Sequence, residues 1–503
     1  MRRQPSRVRY SDFRKAVLQY RPSDLLTALA KLSPDISAPD ADKNDWHRLS
    51  PYGIAAMARE SVLYGNEKLK ARAIGEPEIL KLHAIFTASY DGPQVNKKIK
   101  DSAVGITMRI SYEQFRFQES DFEELTRCVA VFRHALSATQ DARITSEEVD
   151  SLLGVPLEEA ISAGIALNCL MAGTRGIWVD EFADEPSLQE LFKVVTPESV
   201  VRLKDELTLD ISAIRKNFQQ VNGANPVPEH LDRWGYNPLV AFPLVKLPNG
   251  EVVAPLSRLI LMRLSVTSLC YAGSKIDRNF PSKLGKVVET YVGQLLNLVR
   301  GDREVRPEVK WGTGDHEGKS IDWFLILPNC VLLIEVKIAN FSIRVRAGDP
   351  ASVKDIRDRF DQARSQINST FEKFEEDHVK LREIPKDRPF FGIIVTATNF
   401  YMANGSNLTS ELLPTRIPVL TMALRDLEHF VSHDATDLGN AIEAVLNDPE
   451  KRTWPAHTSF GEHLEPMSNS IVDMVASQIT ILEWADKGSE DLKRIAGGPD
   501  GSE

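Results

Sequence analysis

The sequence predicts a mixed α/β C-terminal half preceded by a mostly α-helical N-terminal region. Three observations carry this reading. Apolar residues recur at helical spacing behind polar caps over roughly the first 220 residues. Pro, Asn and Gly then crowd NGANPVPEHLDRWGYNP at 222–238, where the architecture changes. From 276 onward, helix-period and strand-like runs follow in the order helix, strand, strand, helix, strand.

The elements can be justified in chain order. SDFEELTRCVAVFRHAL opens with Ser120 and Glu123 at capping-box spacing and repeats apolar residues at Phe122, Leu125, Val129 and Phe132. TSEEVDSLLGVPLEEAISAGIALNCLMAG repeats the device with Thr145 and Glu148, then breaks at Gly154-Val155-Pro156. That break suits a helix–turn–helix. However, Ser146 to Gly164 holds Glu147, Glu148, Asp150, Glu158 and Glu159 with no Lys or Arg, a charge that phosphate would repel. Helical packing is therefore the preferred reading. VTPESVVRLKDELTLDISAIRKNF reads as one more amphipathic helix. AFPLVKL, a Pro-Asn-Gly turn and EVVAPL form a hairpin signal, and SRLILMRLSVTSLCY a helix after it.

Next come a helix in FPSKLGKVVETYVGQLLNLV and strands in DWFLIL and CVLLIEVKI. A long charged helix follows in ASVKDIRDRFDQARSQINSTFEKFEED, then a strand in RPFFGIIVTATNFY and a strand then helix in RIPVLTMALRDLEHFVS. The expected organisation is a helical region for sensing, interaction or assembly (1–220), a hairpin–helix connector (221–275), an α/β domain (276–435), and C-terminal helices with a tail (436–503).

Bulk properties narrow the function classes. The 503 residues carry a net charge of −10, which argues against a DNA-coating basic surface without excluding a local basic groove. Cys128, Cys169, Cys270 and Cys330 are scattered, with no C-x-x-C pair, so neither a disulfide framework nor a zinc site is expected. The basic start MRRQPSRVRYSDFRK lacks an apolar signal core, and no run approaches the ~18 apolar residues of a membrane span. A cytoplasmic protein without a membrane partner is expected.

The chemistry concentrates in SIDWFLILPNCVLLIEVKIAN. If DWFLIL pairs antiparallel with CVLLIE across Pro328-Asn329, Leu327 faces Cys330 and Asp322 falls opposite Glu335. Lys337 shares the face of Glu335 because side chains alternate. Pro328 cannot take the positive φ of a type I′ turn, so a longer loop or bulge that shifts the register by one stays open. Two carboxylates about 5 Å apart repel, and a hard divalent cation removes the conflict. The bland alternative is that these charges cap strand ends and form surface ion pairs.

Asp322, twelve residues, then Glu335-Val336-Lys337 resembles the PD-(D/E)xK nuclease superfamily, the restriction-endonuclease-like fold. Ile321 stands where that pattern nominally has Pro, and the likeness covers about 276–430. The resemblance implies an α/β core with a mixed sheet flanked by helices. It also implies Mg²⁺ (or Mn²⁺) held by Asp322 and Glu335, and Lys337 acting on the attacking water. Glu289 matches the Glu of the preceding helix and would add a ligand directly or through water. Gln362 and Gln366 match the polar position of the following helix, with Gln362 preferred.

The implied activity is metal-dependent endonucleolytic hydrolysis of phosphodiester bonds. DNA is the expected substrate with RNA not excluded, and prokaryotic anti-phage or restriction-type defence the expected setting. The alternatives are a catalytically idle nuclease-like domain for nucleic-acid binding or assembly, and a helical scaffold. Residues 281–400 carry 19 Lys and Arg against 18 Asp and Glu, a balance of +1 within a chain of −10. Arg344, Arg346, Lys354 and Arg357 are the candidate phosphate contacts, with a solvated helix face as the alternative. The acidic helical region suits a partner protein or self-association. His316, in the glycine-rich turn GTGDHEG, is a secondary candidate.

Overall fold

The computed structural model describes residues 8–37, 46–89, 99–140, 142–184, 188–224, 226–311, 318–338, 342–479 and 481. Helix formation near the N-terminus follows local caps. Ser50 accepts from the Gly53 amide at 3.1 Å with Pro51 in the first turn, starting the helix Pro51–Tyr64. This helix is buried along most of its length, among Tyr10–Val17, Pro22–Ser37, Glu76–Ala88 and Ile211–Ala224. The chain returns to complete that core with Ile211, Ile214, Phe218 and residues through Met262.

The stretch 195–218, read as one helix, is instead a helix (Pro197–Glu206), a strand (Thr208–Asp210) and a helix (Ile211–Ala224). Asp210 is the physical reason. Its Oδ1 accepts from the Ala213 amide at 2.8 Å, a cap that starts a new helix where periodicity suggested continuation. Thr208–Asp210 lies parallel to Leu244–Lys246, which pairs antiparallel with Val252–Val253 around the Pro-Asn-Gly turn. Gly250 takes φ +95° there. The predicted helix at 257–271 is split, because Ser265 caps Val266–Ile276 after Leu259–Arg263.

Ser120 caps its helix through the Glu123 amide, whereas the Glu123 carboxylate pairs with Arg425 rather than closing a capping box. Thr145 and Glu148 form the reciprocal pair in full. Two of the five carboxylates of the acidic stretch are paired: Arg133 donates to Glu158 at 2.8 Å and also pairs with Asp150.

The C-terminal half is built on a mixed five-stranded sheet. Its elements are α1 (Phe280–Leu296), β1 (Glu304–Pro307), β2 (Trp323–Ile326), β3 (Val331–Lys337), α2 (Val353–Glu375), β4 (Phe390–Thr396) and β5 (Val419–Ala423). The strand order is β5-β4-β3-β2-β1. β2 runs antiparallel to both its neighbours, β1 and β3, while β3, β4 and β5 run parallel, with α2 as the crossover between β3 and β4. β1 was not foreseen. Glu304 and Arg306 make it read as polar loop, and charges of this kind suit an edge strand.

Alternation sorts the two sheet faces. Leu325, Leu332, Ile334 and Val336 join the core of α1, whereas Phe324, Ile326, Val331 and Leu333 pack with Ile356, Phe360, Ala363 and Ile367 of α2. Apolar packing crosses the expected boundaries at 220, 275 and 435. One continuous core joins Leu125–Leu207, α1, the sheet, and the helices Ala435–Asn447 and Ser470–Gln478.

Candidate metal-binding active site

The β2–β3 register is the one obtained by counting back from a two-residue turn. Trp323 pairs with Ile334 and Ile326 with Val331, so Asp322 stands opposite Glu335. The Leu327 amide donates to the Cys330 carbonyl at 2.9 Å, closing the turn. Neither Pro328 nor Asn329 takes a positive φ. Tertiary contacts hold the turn instead. The Asn329 amide donates to Asn440 at 2.8 Å, Arg388 donates to the Leu327 carbonyl, and Gly439 leaves room where any Cβ would strike Asn329.

Asp322, Glu335 and Lys337 all lie on the sheet face that meets α2, by the same alternation that puts Phe324 and Leu333 there. Asp322 is 5% exposed and Glu335 1%. The Val336 amide donates to Asp322 Oδ2 at 2.8 Å, and Lys337 Nζ donates to Glu335 Oε1 at 2.6 Å. Glu335 Oε2 is buried and has no hydrogen-bond partner among the described residues. A carboxylate oxygen in that state is costly unless something positive meets it.

Both acids are raised above their ordinary values. Burial, and then the charge of Asp322, pushes Glu335 up to about 7. Burial likewise raises Asp322, although the Val336 amide and the charges of Lys319 and Lys337 oppose the rise.

The remaining predicted site residues divide. Glu289, on α1, is close enough for the Asp322 charge to add to burial in raising its pKa. Its carboxylate pairs with Lys286, while its carbonyl accepts from Trp323 Nε1 at 2.9 Å. On α2 the two candidate glutamines differ in their surroundings. Gln366 Nε2 donates to the Ser320 carbonyl at 2.8 Å, and Gln362, one turn earlier, is exposed. Thr370, one turn later, accepts from the Ile321 amide at 3.0 Å. These two contacts fix the strand entry that carries Asp322.

Of the candidate phosphate contacts, three are engaged within the chain. Arg344 pairs with Asp349 and Arg357 with Glu411. Arg346 stacks over the rings of Tyr112 and Tyr271. Lys354 is exposed. His316 and most of its glycine-rich turn lie outside the described residues. Sequence reasoning assigned no role to Lys319, whose Nζ lies 2.6 Å from Glu308 Oε2 and 3.6 Å from Asp322 Oδ1. Its signal was available: a lysine three residues before the aspartate, on the strand that leads into it.

Among the described residues no group of three or more His, Cys, Asp or Glu side chains is arranged to hold a metal ion. The donor set is thus the two facing carboxylates, and hard oxygens in that number, completed by water and substrate phosphate, fit Mg²⁺ or Mn²⁺. The unpartnered Glu335 Oε2 is the observation that supports the fit. Among the described residues no helix is long and apolar enough to cross a membrane. Compared with family models, curated proteins and solved structures, the chain matches none.

Proposed function

We propose that this protein is a metal-dependent endonuclease that hydrolyses phosphodiester bonds, with DNA as the substrate and a restriction-endonuclease-like core as its fold. The observation that carries the reading is that the β2–β3 register, continued by one residue beyond Trp323↔Ile334, sets Asp322 opposite Glu335, whose Oε2 is buried and unpartnered among the described residues. The arrangement of α1, three antiparallel strands, a crossover helix and a parallel strand agrees with it.

Asp322 and Glu335 are the residues that would hold the cation. Bound there, Mg²⁺ or Mn²⁺ supplies Lewis-acid stabilisation of charge on the phosphoryl oxygens. Asp322 is oriented by the Val336 amide, so Oδ1 is the oxygen it offers. Lys337, held against Glu335 Oε1, is placed to orient the attacking water and stabilise its deprotonated form. Gln366 and Thr370 hold the two polar atoms of the Ser320–Ile321 peptide group, which braces the backbone just before Asp322.

The test is direct. Full-length protein is incubated with plasmid DNA, linear DNA and RNA in Mg²⁺, Mn²⁺ or EDTA. The expected result is metal-dependent cleavage that Glu335→Ala and Lys337→Ala abolish. Cleavage that survives both substitutions overturns the site. A second reading, an idle nuclease-like domain used for assembly, is favoured by one observation: Arg344, Arg346 and Arg357 are occupied internally. It predicts no cleavage of any substrate under any metal.

A further inference from the structure

Seven charged side chains influence one another at the open end of the β2–β3 hairpin: Glu289, Glu308, Asp322, Glu335, Lys286, Lys319 and Lys337. Two of the lysine pairs are local. Lys286 and Glu289 are a turn apart on α1, and Lys337 and Glu335 are alternate residues of β3. Lys319 differs, because its ammonium lies between two carboxylates, Glu308 eleven residues earlier at 2.6 Å and Asp322 Oδ1 three residues on at 3.6 Å.

The geometry around it is fixed by backbone. The Val309 amide donates to Ser320 Oγ at 2.8 Å and the Ser320 amide to the Val309 carbonyl at 2.9 Å. Glu308 and Lys319 are thereby held side by side. Asp322 Oδ2 is committed to the Val336 amide, so Oδ1 is the oxygen open to a cation, and Lys319 is the cation the chain itself places beside it.

We propose, resting on the metal reading above, that Lys319 is the resident counter-cation of this site: anchored on Glu308, it balances the charge of Asp322 at 3.6 Å, and it would give up the Asp322 contact while keeping Glu308 when a divalent ion binds. Metal binding is an exchange under this arrangement. The Lys319 charge opposes the incoming ion, and Glu308 holds the ammonium once Asp322 is taken. Glu308 therefore acts on metal affinity through Lys319, so its effect requires Lys319 to be present.

The experiment is Mn²⁺ titration calorimetry on the full chain, with thermal melts to check folding. Lys319→Met is expected to bind Mn²⁺ about tenfold tighter than wild type, since a like charge is removed from the ion's neighbourhood. Glu308→Gln is expected to bind it several-fold more weakly, because Lys319 then has Asp322 alone. In the double variant the Glu308 effect disappears. Lys319 is 45% exposed, so its replacement is tolerated, and Lys319→Gln repeats the measurement with a polar side chain. Equal or weaker Mn²⁺ binding by Lys319→Met and Lys319→Gln overturns this inference and leaves the metal reading standing. A Glu308 effect that persists without Lys319 does the same. Absence of Mn²⁺ binding in wild type and in every variant removes the metal reading and this inference together.

Discussion

Replacing Glu335 by glutamine should change how the stability of the fold depends on pH, and the size of the change can be worked from the site. Glu335 is 1% exposed, faces Asp322 across the hairpin, and is raised from 4.5 to about 7 by burial and by that charge. At pH 4 the group is protonated in both folded and unfolded chains and contributes no difference. As pH rises past 4.5 the unfolded chain releases the proton while the folded chain keeps it, and stability falls until the folded group also ionises near pH 7. Integrated over that interval, the loss is about 3 kcal/mol. Glutamine keeps the shape, carries no charge and lacks this slope. Urea unfolding in EDTA should thus give similar stabilities for wild type and Glu335→Gln at pH 4.5, and a variant more stable by up to about 3 kcal/mol at pH 8. Mn²⁺ at pH 8 should restore the wild type and leave the variant unchanged. Parallel pH profiles for the two proteins in EDTA would refute the claim that Glu335 is held buried against Asp322.

Other substitutions test neighbouring parts of the site and its frame. Asp322→Ala strands the Val336 amide and should cost about 1–3 kcal/mol along with cleavage, whereas Asp322→Asn should lose cleavage with a smaller stability change; denaturant melts beside a plasmid assay separate the two. Gln366→Ala should destabilise by about 1 kcal/mol through the orphaned Ser320 carbonyl, while Gln362→Ala should stay within about 0.5 kcal/mol. Equal melting temperatures for that pair would count against the orientation of α2. Arg127→Ala leaves Glu428 buried with only Tyr291 as partner and should cost about 3–5 kcal/mol in urea unfolding.

Much of the candidate site was legible because the information is local. Alternation along β3 and a two-residue turn suffice to bring Asp322 opposite Glu335, and the fold keeps that register. The turn chemistry pointed the other way, since Pro328 forbids a type I′ turn. What overrode it came from residues over fifty positions away, Arg388 and Asn440. That Gln366, and not Gln362, meets the Ser320 carbonyl could not be read from spacing, because residues four apart share a helix face and only the packed rotation of α2 distinguishes them. The basic residues misled for a similar reason. A charge count does not reveal that Arg357 meets Glu411 or that Arg346 lies over Tyr112 and Tyr271. β1 was missed because a charged edge strand has no apolar pattern to announce it, and Asp210 hid a strand inside an apparent helix.

The interleaving of the cores has a consequence for biosynthesis. The core begun by Tyr10–Phe86 is closed by Ile211–Met262, and the core begun by Leu125–Leu207 is closed by α1, the sheet and the segment around Val475. A ribosome delivering this chain from the N-terminus releases apolar helices long before their partners exist. The first unit cannot seal until Met262 has emerged, and the second waits for the segment around Val475. Nascent chains should therefore depend on chaperone shielding over that interval, and the hairpin with Asp322 and Glu335 should reach its final packing only once the segment around Val475 has been made.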